Sequence, residues 1–124
     1  MNVRSYIAEK LKIVSHTEGV VEASIVFDDA FPAFKGHFPG NPTLPGVCEL
    51  ICVEILLEKI SGKNVSLTEL SRTKFFSPVS PGESLRIELS GLPADAGALS
   101  DAALSVKIFS EDRKIAFFTN CRFR

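Results

Sequence analysis

The sequence predicts an α+β fold in which a curved antiparallel sheet wraps around one central helix at about residues 46–60. The first observation is that this helical segment is apolar on nearly every side, which indicates burial within the protein. The second is a series of β-branched and alternating segments that fills most of the chain after the helix. A single buried helix followed by many strands has to be covered by the sheet that those strands form.

The length, net charge and apolar content of the chain exclude several classes of protein. Its 124 residues suit a single domain spanning residues 1–124. A net charge of −1 provides no basic field for nucleic acid or an anionic membrane. The N-terminus lacks the apolar core of a signal peptide, and no apolar run approaches the roughly 20 residues that cross a bilayer. We therefore expect a cytoplasmic protein with neither a nucleic-acid partner nor a membrane partner.

The part of the chain before the central helix contains two predicted elements. Residues 4–12 are expected to form a short helix, with Ser5 as its N-cap and an apolar stripe along one side. Residues 20–27 are β-branched and partly alternating, which predicts a strand. Residues 28–44 are punctuated by Pro and Gly and are expected to form a loop.

The central helix is expected to start at Pro45 or Gly46 and to end before Gly62. A turn at residues 78–82 should separate the first two strands after it, and the last two should form a hairpin around residues 111–113. The small residues of segment 91–100 predict the most mobile loop. The strands predicted after the helix are residues 64–76, 83–90, 102–110 and 114–124.

Cysteine and phenylalanine content indicate a reducing compartment and a large apolar interior. Cys48, Cys52 and Cys121 are odd in number, and the first two lie four residues apart on the predicted helix. This pattern fits neither a disulfide framework nor a metal site, so we expect buried, inert thiols in a reducing cytosol. Ten Phe residues without any Trp suit plain core filling, and they also suit the walls of an acyl-sized cavity.

Residues 36–46, Gly-His-Phe-Pro-Gly-Asn-Pro-Thr-Leu-Pro-Gly, are the most informative segment for function. Three Pro and three Gly residues restrict the backbone around His37, and the segment leads straight into the central helix. Histidine is a natural general base, since its unperturbed pKa lies near 6.5. The alternative is that structural hydrogen bonds alone hold His37 in a rigid loop.

The segment 36–47 closely resembles the signature of bacterial 3-hydroxyacyl-acyl-carrier-protein dehydratases, the hot-dog-fold enzymes of type II fatty acid synthesis. Residues 73–83, Thr-Lys-Phe-Phe-Ser-Pro-Val-Ser-Pro-Gly-Glu, resemble that family's second conserved turn. The resemblance covers essentially the whole chain. It implies a hot-dog fold and conversion of a 3-hydroxyacyl thioester to the trans-2-enoyl thioester in fatty acid or related acyl-chain synthesis. It implies no cofactor and no metal.

The resemblance also implies partners and site residues. The family forms homodimers or larger assemblies with active sites across the subunit interface, and acyl carrier protein delivers the substrate. His37 matches the histidine that acts on the C2 proton, and Gly46 matches the glycine whose N–H polarises the thioester carbonyl. A helix N-terminus suits that task because it presents unpaired N–H groups and a positive partial charge. The residues expected to contact the substrate are Phe38, Pro39, Gly40, Pro45, Val47 and Ile51.

The acid of the family does not carry over to this chain. It lies fourteen residues after the histidine, and here that position is Ile51, which cannot transfer a proton. At roughly 100° per residue, Glu54 lies about 60° around the helix from Ile51 and one turn further along, whereas Glu49 points to the opposite side. Glu54 is the candidate acid. Its alternative role is that of an ordinary polar residue on one stripe with Glu58.

Four functions remain open at the level of sequence. The chain is a self-sufficient dehydratase, or one subunit of a heterodimeric dehydratase whose partner supplies the acid. It is alternatively a non-catalytic module that binds acyl thioesters, or a hot-dog thioesterase whose carboxylate is Glu49 or Glu54. Five basic residues are compatible with a rim for an acidic carrier protein or with ordinary solvated charges: Lys35, Arg72, Lys74, Arg122 and Arg124.

Overall fold

The computed structural model describes residues 2–34 and 42–124 and confirms the α+β class. Two short 3-10 helices, Pro32–Phe34 and Ala96–Asp101, lie in connecting segments. The remaining elements are helix α1 (Val3–Lys10), strand β1 (Lys12–Thr17), strand β2 (Val20–Val26), helix α2 (Gly46–Ser61), strand β3 (Leu67–Phe75), strand β4 (Ser84–Ser90), strand β5 (Leu104–Ser110) and strand β6 (Arg113–Phe123).

The six strands form one antiparallel sheet in the order β1-β2-β4-β5-β6-β3. Of the strands after the helix, only β4, β5 and β6 are neighbours in the sheet in their chain order. Strand β3 instead pairs with β6 at the far edge, so that β6 lies between β5 and β3 and bonds to both. Residues 78–82 are therefore a crossing between an edge and the middle of the sheet.

Helix α2 packs on the apolar face of this sheet. Strands β2, β4 and β5 bury alternate side chains, which is the period expected for a sheet with one covered face. Val53 and Leu56 of α2 are fully buried in the same cluster. The helix ends at Ser61, where Gly62 adopts the left-handed conformation with φ of 74°. The predicted central helix is confirmed.

The N-terminal region corrects the sequence prediction. Helix α1 ends at Lys10 and not at residue 12, and its N-cap is Asn2, whose Oδ1 accepts a hydrogen bond from the N–H of Ser5 at 2.7 Å. Strand β1 follows immediately and was not predicted. Every residue of β1 is exposed, so this strand lacks the alternation of apolar and polar residues that marks a half-buried strand.

Other boundaries differ by a few residues. The strands predicted from residues 64 and 102 start at Leu67 and Leu104. Part of the predicted loop 91–100 forms the second 3-10 helix, and Leu99 within it is buried. The mobility of this segment stays a prediction.

The three cysteines are free and buried, as expected for inert thiols. Burial raises the pKa of both Cys48 and Cys121 to about 11, so these thiols stay protonated near neutral pH. None of the helices in the described part of the chain is long and apolar enough to cross a bilayer.

Removing side-chain volume beneath the sheet should destabilise the protein strongly. Leu56 is fully buried, so Leu56→Ala should lower the free energy of unfolding by about 2–5 kcal/mol through lost contacts and the cavity left behind. Chemical denaturation monitored by circular dichroism measures the change. Lys59→Arg, at an exposed position of the same helix, should change stability by less than about 0.5 kcal/mol. Equal effects of the two substitutions would contradict a core position for Leu56.

Candidate active site

The first turn of α2 opens into a cavity of about 340 Å³. The cavity lies between this turn and the end of β3, and its walls are mainly apolar. Its lining residues are Thr43, Leu44, Gly46, Glu49, Phe75, Phe76, Ser77 and Pro78.

The backbone N–H groups at the start of α2 lie beside this cavity. Pro45 is the N-cap residue, and its side chain makes no capping hydrogen bond. The first N–H groups of a helix have no acceptor within it, and they form its positive end. The N–H of Leu44 donates to the carbonyl oxygen of Val79 at 2.9 Å and holds the entry to the helix against the crossing segment. The arrangement suits an acceptor that gains negative charge, such as a thioester carbonyl.

Gly46 allows a close approach of Phe75. A Cβ atom at Gly46 would lie 2.8 Å from two ring carbons of Phe75, a distance that real Cβ contacts do not show. The same ring meets Phe118 edge to face, with 5.7 Å between centroids. The glycine therefore lets the last residue of β3 press against the start of the helix and close one side of the cavity.

A polar network holds the crossing segment that carries Ser77 and Pro78. Glu83 accepts hydrogen bonds from the N–H of Ser80 at 2.7 Å and from the Ser110 hydroxyl at 3.0 Å, and it pairs with Arg113. Arg113 also donates to the carbonyl oxygen of Pro78 at 2.9 Å. Burial acts to raise the pKa of Glu83, but these hydrogen bonds outweigh it and lower the pKa overall. The cavity wall is thus tied to the β5–β6 hairpin.

Glu49 brings a buried carboxyl group to the cavity. It is 3% exposed, and its Oε1 has no hydrogen-bond partner within residues 2–34 and 42–124. Burial raises the pKa of Glu49 from 4.5 to about 7, because the low-dielectric surroundings disfavour the charged form. Glu49 follows Gly46 by three residues and so lies on the same side of α2. A buried carboxyl group and the helix N–H groups thus share one cavity.

The sequence analysis did not select Glu49 as a dehydratase acid. Glu49 lies on the other side of the helix from Ile51, the position that the resemblance indicated for the acid. A usable signal was present, since Glu49 is the acidic residue in the first turn of an otherwise apolar helix.

Glu54 lies in a different environment from Glu49. Its Oε1 pairs with Arg4 of α1 at 2.8 Å, and its Oε2 accepts the N–H of Leu67 at 2.8 Å. Glu58 repeats the arrangement, pairing with Arg4 at 2.8 Å and accepting the N–H of Val65 at 3.0 Å. These contacts match the predicted stripe of Glu54 and Glu58 and join α1, α2 and the start of β3. A catalytic role for Glu54 stays a prediction.

Four of the predicted site residues, His37, Phe38, Pro39 and Gly40, lie outside the residues that the structure describes. Their roles stay predictions. Gly46 lies where the sequence analysis expected it, at the first position of α2 and in the cavity wall.

The other predicted contact residues border the cavity or lie away from it. Pro45 precedes the helix, and Ile51 packs against the hydrophobic core. Val47 is 61% exposed, and Phe75 and Phe76 are 54% and 44% exposed. These last three residues form an apolar rim at the first turn of α2 and the end of β3. Exposed apolar patches beside a cavity mark surfaces that a ligand or a partner covers.

The predicted basic residues are spread along the edge of the sheet. Arg72 and Lys74 are exposed on β3, and Arg122 of β6 pairs with Glu69 at 3.2 Å. Lys35 lies outside the described residues. Both interpretations, a rim for an acidic carrier protein and ordinary solvated charges, stay open.

A larger cavity of about 580 Å³ lies at the other end of α2. Its lining includes His16, Leu57, Ile60 and Leu92. At a rise of about 1.5 Å per residue, Leu57 is roughly 16 Å along the helix axis from Gly46. His16 is exposed, as predicted. This cavity has no helix N-terminus, so the smaller cavity is the candidate active site.

Comparison with known proteins identifies the family. The family model described as ApeI-like, the ApeI dehydratase, matches residues 13–118. The chain belongs to the ApeI-like dehydratases. A 3-hydroxyacyl-[acyl-carrier-protein] dehydratase FabZ of Acetivibrio thermocellus is 42% identical to this ApeI-like protein over 64 residues, a match that spans 46% of this chain and 44% of the relative. The chain thus aligns with less than half the length of that relative.

Solved structures show the hot-dog fold, as the resemblance implied. The Dehydratase Heterocomplex ApeI:P from Xenorhabdus doucetiae matches with a TM-score of 0.72 and 19% identity, covering 92% of the ApeI-like chain and 97% of the other. A hypothetical thioesterase with coenzyme A from Streptococcus pneumoniae matches with a TM-score of 0.67 and 14% identity, covering 97% and 92%. At these identities the two structures support the fold alone.

The buried carboxyl group should make stability depend on pH. The folded state of this ApeI-like protein keeps the Glu49 proton up to about pH 7, whereas the unfolded chain releases it near pH 4.5. The stabilisation is therefore complete below pH 4.5 and is lost as pH rises through about 7, a loss on the order of 3 kcal/mol. Denaturation of the native protein and of Glu49→Gln across this range measures the difference. Parallel pH curves for the two proteins would contradict a raised pKa at Glu49.

A side chain at Gly46 should disturb the site through Phe75. Gly46→Ala should lower the free energy of unfolding by about 1 kcal/mol, the lower end for overpacking, because the added methyl group displaces the half-exposed ring of Phe75. Replacing the ring by a smaller side chain in the double variant Gly46→Ala/Phe75→Leu should recover part of this loss. Thermal unfolding of the two single variants and the double variant measures the coupling. Strict additivity would argue against the contact.

Proposed function

We propose that this protein dehydrates 3-hydroxyacyl thioesters carried on acyl carrier protein, giving trans-2-enoyl thioesters in fatty acid or related acyl-chain synthesis. The observation that carries the proposal is the cavity at the start of α2, which directly follows the segment containing His37. Family membership supports the reaction class. The relative from Acetivibrio thermocellus, whose name states this substrate, supports the acyl-carrier-protein thioester.

The proposed reaction divides between two groups. His37 removes the C2 proton, and the N–H of Gly46 donates a hydrogen bond to the thioester carbonyl as negative charge develops there. Loss of the 3-hydroxyl as water then completes the C2=C3 double bond. Hydrogen-bond donors fixed before the reaction stabilise such charge most effectively, because they do not have to reorient. The reaction requires no cofactor.

We further propose that the site is completed in an assembly of subunits. The apolar rim formed by Val47, Phe75 and Phe76 borders the cavity, and β3 is an edge strand of the described sheet, paired with β6 on one side. A second copy of the chain or a related subunit would cover this surface. The heterocomplex of the Xenorhabdus structure supports the heteromeric form. Cytoplasmic localisation stays a prediction from the sequence.

Purified protein should convert a 3-hydroxyacyl-acyl-carrier-protein to the enoyl product, detected by mass spectrometry as the loss of one water. His37→Ala should lower the rate by about 10²- to 10⁴-fold, the usual contribution of a general base. His16→Ala is the matched control, because His16 lies at the opposite end of α2, and it should retain the native rate.

Absence of turnover at every chain length, both for the protein alone and for the protein with its co-purified partners, would contradict the proposal. Turnover only after a related subunit is added would favour the heteromeric form. Binding of acyl-acyl-carrier-protein without turnover, unaffected by His37→Ala, would instead indicate a non-catalytic module.

A further inference from the structure

Dehydration needs a proton for the departing hydroxyl group, and the family's usual position for the donor holds Ile51. We propose that Glu49 is the proton donor of this site, from a position two residues earlier on α2. This inference rests on the proposed dehydration, since it names the group that completes that reaction.

The position of Glu49 carries the inference. Its carboxyl group lies in the wall of the same cavity as Gly46, one helical turn from the first N–H groups of α2. It is almost fully buried, yet Oε1 has no partner in the part of the chain that the structure describes. Buried polar atoms are nearly always hydrogen-bonded, so an orphaned carboxyl oxygen beside a cavity calls for a functional explanation. A substrate hydroxyl is a partner of suitable chemistry.

The other two glutamates of α2 differ from Glu49 in their partners. Glu54 and Glu58 are occupied by Arg4 and by backbone N–H groups, which hold them as structural carboxylates. Glu49 has no cation bonded to it among the described residues. Burial raises its pKa to about 7, so a large fraction carries a proton at neutral pH. Cys48 and Cys52, the titratable side chains on the same helix that interact with Glu49, have raised pKa values themselves and remain neutral thiols.

In the proposed dehydration His37 takes up one proton and Glu49 gives up another. The C2–H bond breaks and its proton moves to the imidazole of His37, while the C3–O bond breaks and the hydroxyl takes the proton of Glu49 to leave as water. The electron pair from C2–H becomes the C2=C3 double bond. The imidazolium and the carboxylate that remain are neutralised when solvent returns the proton from one to the other after product release. Because Glu49 and Gly46 belong to one helix, both groups come from the same subunit.

Glu49→Gln tests the inference, since it keeps the size and burial of the side chain but cannot donate an acidic proton. We expect the kcat for dehydration to fall by about 10²- to 10⁴-fold with little change in KM. The alkaline limb of the kcat/KM profile, where activity falls as pH rises through about 7, should disappear. Thermal unfolding shows that the variant is folded. Glu58→Gln, the same change further along α2, is the control and should retain the native rate.

Infrared spectroscopy provides a readout apart from activity. The native protein should show a protonated carboxyl band that fades as pH rises through about 7, and Glu49→Gln should lack it. Glu49→Asp should recover part of the activity, since it restores a proton donor on a shorter side chain.

The experiments distinguish a failure of the Glu49 role from a failure of the dehydratase function. If the native protein dehydrates its substrate and Glu49→Gln does so at the same rate and with the same pH profile, the role of Glu49 is overturned while the proposed function stands. If the native protein releases free acid and thiol by hydrolysis and forms no enoyl product, the dehydratase function itself fails, and the role of Glu49 in dehydration fails with it.

Discussion

Helix α2 packs on the covered face of the sheet, and its burial sets the physical conditions at its first turn. A helix this apolar is stable only when other elements remove it from water. The same enclosure places the first-turn N–H groups and the Glu49 carboxyl in a medium of low dielectric constant. There, the positive helix end acts more strongly on an acceptor than it would in water, and a neutral carboxyl is favoured over a charged one. The burial of α2 therefore both stabilises the core and sets the chemical properties of the site.

The three glutamates of α2 show how environment separates residues of one type. Glu54 and Glu58 face α1 and the start of β3, where Arg4 and two backbone N–H groups satisfy their oxygens. Glu49 faces the cavity, where Oε1 is unsatisfied within the described residues. The first two connect secondary-structure elements. Glu49 makes none of these contacts, and burial raises the pKa of its carboxyl group to about 7.

The sequence predicted elements well wherever burial left a pattern. The apolar length of α2 and the alternation in β2, β4 and β5 identified those elements, because each buries a regular set of side chains. Strand β1 was missed because all of its residues are exposed, and the edge position of β3 depends on distant pairing with β6 that no local pattern encodes. Gly46 was predicted at the start of α2 from the motif in residues 36–46. Glu49 was missed because its environment depends on Phe75, Phe76 and the crossing segment, which are distant in sequence.

The edge position of β3 has a consequence for how the protein behaves in solution. A strand at the edge of a sheet can offer unpaired N–H and C=O groups, and here it leads into Phe75 and Phe76, which are 54% and 44% exposed. Such an edge is a template for further strands, and the two rings beside it add apolar area that favours association. Colloidal behaviour and yield should therefore follow the exposure of this edge more closely than they follow the intrinsic stability of the fold.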